Sequence, residues 1–156
     1  MLRTIAAGMV AVVLCSGPML AHHSLAKHDT TTAIRVKGTV VQVHWINPHS
    51  FIFLEQTDAD GVRQRWAVEG PSAFNLSRRG VATDVLRAGD TIEVCGYLPK
   101  EKTVWQVAGT NPGALNLAGR LITAELLVMP DGHEQSWGDY GFHRCFAPDY
   151  KDQHSR

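Results

Sequence analysis

The stretch "AIRVKGTVVQVHWI" at 33–46 constrains the fold more than any other part of this chain. Apolar and polar residues alternate with period two, the pattern of a strand with one face buried. Ile34, Val36 and Val40 share one phase; Val41, Val43 and Trp45 share the other. The slip falls at Val40–Val41, just after Gly38. A β-bulge inserts one extra residue and re-aims every side chain beyond it, so the pattern predicts one long, bent strand. Beyond such a bulge His44 points away from the core and Trp45 toward it.

The segments that follow extend the β reading. "NPHS" at 47–50 is a turn, because Pro48 fixes φ after Asn47. "FIFLEQ" at 51–56 is a strand that begins apolar on both faces, and "TDADG" at 57–61 is a turn. "VRQRWAVE" at 62–69 is a third strand, with Val62, Trp66 and Val68 expected on one face and Arg63 and Arg65 on the other. "GPSAFNLSRRG" at 70–80 breaks the period. Pro71 at its start, Ser72 as a cap and Gly80 as a stop predict one short helix, with Phe74 and Leu76 expected to pack inward. A fourth strand is expected at 91–98, where Ile92 and Val94 alternate with Thr91 and Glu93. Thr103 to Ala108 is read as a further strand. "RLITAELLVM" at 120–129 can be strand or helix by periodicity; its place before "PDG" and after four strands favours strand. Three strands, a short helix and two more strands is the order of an OB-fold, a small, partly open Greek-key barrel. The fold class expected is therefore all-β with one short helix, an OB-fold-like barrel. A β-sandwich is the alternative and needs more strands from 99–140.

The ends of the chain set the domain boundaries. Arg3 is the only charge before Lys27, Ile5 to Leu14 is an apolar run too short to span a bilayer, and Ser16, Gly17 and Pro18 break it. This reads as a signal peptide over 1–21, cut after Ala21, although Met19 stands where a small residue is expected. Cys15 raises a lipoprotein alternative, but Val12, Val13 and Leu14 lack the small pair that lipidation needs. Residues 22–33 are then a His-rich arm, 34–130 the barrel, and 131–156 an aperiodic tail, partly disordered. The expected location is the periplasm or beyond the cell, without membrane insertion after processing. Removing Arg3 turns 15 Lys+Arg against 15 Asp+Glu into 14 against 15, a balance that argues against nucleic acid. Cys95 and Cys145 are left as a pair, which an oxidising compartment would favour as a disulfide tying the tail to the domain. The alternative is two thiols, one of them buried.

Five of the eight histidines, His22, His23, His28, His44 and His49, fall between 22 and 49. Imidazole is the commonest neutral metal ligand. A cut after Ala21 makes His22 the N-terminus, where the α-amine (pKa about 8) and the residue's own ring can chelate together. A third nitrogen completes a near-planar site of the kind that suits Cu(II). His49, in a Pro-fixed turn, is preferred for it over His44. A cut after Leu20 would instead give Ala-His-His, which binds Cu(II) through amine, backbone amides and His23. The plain alternative is that histidines near a cleavage site are only tolerated, and that His49 serves the turn. His133 and His143 have no metal-motif spacing. There is no Cys-x-x-Cys, no Gly-rich phosphate loop and no nucleophile signature around Ser24 and Asp29.

"AHHS" after the signal, "VKGTVVQVHWINPHSFIFLE", "RWAVEGPSAFNLSRRG" and "LRAGDTIEVCGYLPK" together resemble a family of small exported bacterial proteins of unknown function. The resemblance covers about residues 21–130. It implies export and makes His22, His23, Trp45, Asn47, Pro48 and His49 the motif positions. The chain departs from the pattern at "KEKTVWQ", in Cys95 and in the long tail. Three functions follow as expectations. The first is copper binding through the amine, His22 and His49, with His23, His28 or His44 assisting. The second is a non-metal OB-type module that holds a partner protein or small ligand, with Trp45, Trp66, Arg63 and Arg65 as candidates for its face. The third is a copper oxygenase-like enzyme, ranked last because no substrate surface is legible.

Overall fold

A computed structural model of the protein describes residues 27–100, 120–138 and 144–145. Its first strand, β1 (Ile34–His44), is shared between two neighbours. The first half pairs antiparallel with β4 (Thr91–Tyr97), and the second half with β2 (Ser50–Thr57). The hand-over is the predicted bulge. Val40 faces Leu54 and Gln42 faces Phe53, so Val41 is the extra residue. Val41 is exposed, a correction to its assignment to the buried phase with Val43 and Trp45. At the bend Gly38 lets β2 come close: a Cβ there would lie 2.9 Å from the carbonyl oxygen of Glu55.

β2 pairs antiparallel with β3 (Arg63–Gly70), and β4 with β5 (Leu121–Val128), which settles the 120–129 run as strand. β3 and β5 then pair in parallel through Ala67–Leu121, Val68–Ile122 and Glu69–Thr123. This seam closes five strands into a small barrel in the OB order, which excludes the sandwich. The core holds Val36, Val40, Ile52, Leu54, Val68, Ile122 and Leu127. The opposite phase of β2, β3 and β5 forms a second buried cluster on the outer wall, with Phe53, Ala67 and Leu121. That is why β2 begins apolar on both faces.

Two expectations about facing are corrected. Val62 lies outside β3 and is exposed, because Asp58 Oδ1 accepts from the amides of Asp60 and Val62 and holds the chain in a turn there. The helix, α1 (Ala73–Arg78), is capped by Ser72, whose hydroxyl accepts from the amide of Asn75. Leu76 is fully buried in the barrel core, but Phe74 is 61% exposed beneath the Arg78 guanidinium. Residues two apart on a helix do not share a face, so a helix this short can turn only one of the two inward. Accordingly Phe74→Ala should change stability by no more than about 0.5 kcal/mol. Ser72→Ala should cost about 1 kcal/mol in a urea titration.

The fold continues past residue 130. β6 (Glu134–Ser136) pairs antiparallel with β5, and Trp137 is fully buried in the core. Cys95 and Cys145 are bonded to each other, with Cα atoms 5.6 Å apart. The strand expected at 103–108 lies outside the described residues, as do the signal segment, His22 and His23. Among the described residues, no helix is long and apolar enough to cross a membrane.

Candidate functional site

The turn between β1 and β2 is held from three sides. Trp45 leans on the core, its ring 5.8 Å from that of Trp137. The Ile46 carbonyl accepts from the Ala73 amide (3.1 Å), and Asn47 Oδ1 accepts from the Phe74 amide (3.4 Å). The Asn47–Pro48 peptide is cis. On the far side of the turn the Ser50 amide donates to the Pro71 carbonyl (3.0 Å). The Trp-x-Asn-Pro-His segment is therefore moored to the start of α1. These anchors set where His49 stands.

His49 stands beside Glu69, the penultimate residue of β3, with Nδ1 3.0 Å from Glu69 Oε1. The contact lacks the in-line geometry of a hydrogen bond. The other carboxylate oxygen, Oε2, accepts from the Thr123 hydroxyl across the closing seam at 3.3 Å. The same hydroxyl lies 2.8 Å from Nε2 of His28. A continuous polar string, His49–Glu69–Thr123–His28, thus crosses the barrel seam. Val68 and Ile122 point into the core, so Glu69 and Thr123, one residue on, face the outer wall.

His28 reaches this wall because its arm is stitched down. The Asp29 amide donates to the Leu98 carbonyl and the Lys100 amide to the Lys27 carbonyl, both at 2.8 Å, around a bridge between His28 and Pro99. His28 and Thr123 are both buried, and among the described residues His28 Nδ1 has no hydrogen-bond partner. Burial pulls the His28 pKa below the ordinary imidazole value; Glu69 opposes the shift, and Lys27 adds to it. The ring is thus held neutral. Between the two pKa values the unfolded chain binds the proton that the folded one refuses, so stability rises with pH there. As pH falls below about 6.5, metal-free protein should lose stability. His28→Gln should lose less over the same window, read as urea midpoints from pH 7.5 to 5.

Of the five candidate histidines, the structure brings His28 and His49 onto one string. His44 is elsewhere on the outer wall, its ring edge-on to Phe53 at 5.2 Å. Among the described residues, no group of three or more His, Cys, Asp or Glu is set to hold a metal. His133 sits on Asp131 in an exposed turn, and Arg63 and Arg65 both reach Glu55. Trp45 and Trp66 pack against the core rather than lining a binding face. Glu69 and Thr123 were not legible as site residues. Glu69 occupies the polar phase of its strand as Arg63 and Arg65 do, and Thr123 lies inside an apolar run.

Residues 10–105 match a family model. The chain belongs to DUF6152, a family of unknown function. The DUF6152 match includes the arm, His28, the Trp-x-Asn-Pro-His turn and Glu69; Thr123 and Cys145 lie beyond it. No curated protein matches the chain.

Proposed function

We propose that this DUF6152 protein is an exported copper-binding protein whose site joins a processed N-terminus at His22 to the barrel at His49. The observation that carries the reading is the mooring of His28 on the same polar string as His49. His28 lies six positions beyond His22, a reach of about 20 Å at most, enough for the arm to fold back along the outer wall. The donors suit the metal. A terminal amine and neutral imidazoles favour Cu(II), and burial keeps His28 neutral. The Cys95–Cys145 bond is in keeping with an oxidising compartment such as the periplasm. The bound ion would be buffered or delivered.

The test is a Cu(II) titration of protein exported with its own signal, after mass spectrometry of its N-terminus. One control carries an extra residue ahead of His22; another is His49→Ala. A chain that starts at His22 should take one Cu(II) tightly and lose at least about 100-fold in affinity in both controls, because each removes a ligand. Binding that is weak, or that both controls retain, overturns the reading. A second reading, an OB-type module for a partner protein or small ligand, draws on Phe51, half-buried at the edge of the covered cluster around Phe53. It requires partner binding that survives alanine at His22, His23 and His49.

A further inference from the structure

The string His49–Glu69–Thr123–His28 has a direction, and the direction is set by one carboxylate. We propose that Glu69 is the positioning residue of this site. It holds His49 with the proton on Nδ1 and, through the Thr123 hydroxyl, holds His28 with the proton on Nε2. The nitrogens offered to a metal are then His49 Nε2 and His28 Nδ1. The last clause rests on the copper reading; the proton positions do not.

Glu69 Oε1 lies 3.0 Å from His49 Nδ1. Even off the ring's donor line, a carboxylate charge at that distance repels a bare nitrogen and attracts an N–H. The tautomer of an imidazole follows the partner of one ring nitrogen, and the other nitrogen is left as the base. A threonine hydroxyl has a single proton to give. Its oxygen is 3.3 Å from Glu69 Oε2 and 2.8 Å from His28 Nε2. Were the proton given to His28, the hydroxyl's lone pairs would face the carboxylate, so the proton goes to Glu69 and the oxygen accepts from His28 Nε2–H. His28 Nδ1 is then a bare nitrogen, buried and without a partner among the described residues. Carboxylates that orient metal-binding histidines in this way raise their basicity and fix their rings.

The experiment uses the full chain, 15N-labelled and metal-free, at pH 8. Long-range 15N–1H spectra distinguish protonated from bare ring nitrogens. We expect His49 protonated at Nδ1 and His28 at Nε2. Glu69→Gln should abolish the single tautomer at His49. Thr123→Val, which keeps a β-branched residue in β5, should release His28 and leave His49 as it was. His49 protonated at Nε2 in the unmodified chain, or tautomers unchanged in Glu69→Gln, overturns the proposal; a purely structural Glu69 would give the second result. In the Cu(II) titration Glu69→Gln should weaken binding about 10–100-fold, and unchanged affinity overturns the role of Glu69 toward the metal. If the unmodified chain takes up no Cu(II), the copper reading fails while the spectra still decide what Glu69 does.

Discussion

Trp137→Ala should cost about 3–5 kcal/mol of stability. Trp137 is among the largest fully buried side chains of the barrel. Its ring leans on Trp45, and its indole nitrogen lies over Gly70, where a Cβ would come within 2.1 Å. Its backbone is tied as well. The amide donates to the Glu125 carbonyl at 2.8 Å, and Arg79 donates to the Trp137 carbonyl at 3.0 Å. Truncation leaves a cavity bounded by the turn that carries His49, the end of β3 and the helix. Trp137→Phe separates volume from polarity. The indole N–H is buried without a partner among the described residues, and such a group costs about 1–3 kcal/mol. Phenylalanine removes that penalty while filling part of the space, so its loss should be well under half of that for alanine. Equal losses in guanidinium titrations, or a loss below about 1 kcal/mol for alanine, would show that the aromatic is not a core element.

Trp137 also marks where sequence reasoning ended. Period-two alternation made β1, its bulge and the start of β4 legible, because buried and solvent-facing residues alternate there. Leu76 and Phe74 were expected to pack inward together from one short helix, and helix geometry separates them. β5 has no alternation because both of its faces are covered, so its type had to be inferred from its neighbours. β6 is three residues long, too short to show any period, and the tryptophan after it carries no sign of burial in its charged surroundings. The site was half legible. The Pro-fixed turn singled out His49, and histidine density put His28 only among the assisting candidates. Glu69 and Thr123 stand 54 residues apart in the chain and meet only at the parallel seam of β3 and β5, a pairing that no local pattern announces.

Replacing both cysteines, Cys95→Ala with Cys145→Ala, should cost about 4 kcal/mol by the chain-entropy argument for a loop of this length. The bond joins residues 50 apart. Free of it, the unfolded chain gains the freedom of that whole loop, which holds β5, β6 and Trp137. The folded shape should survive the change. Arg35 still donates to the Cys145 carbonyl at 2.9 Å, and Leu126 still covers Cys95. The variant should therefore fold with a native-like amide spectrum, a lower denaturant midpoint and a steeper dependence on denaturant, because its unfolded ensemble is more open. A loss under about 1 kcal/mol would mean that the unfolded chain stays compact around this loop. Coupling to Trp137 is the sharper measure. Both features secure the same C-terminal segment, one through the core and one through the covalent bond. In a double-mutant cycle the losses should therefore fail to add, by about 0.5–3 kcal/mol. Additive losses would instead make the disulfide a property of the unfolded chain alone. The docking of Trp137 beside the His49 turn would then stand without it, so reduction could lower stability and leave the metal-binding histidines in place.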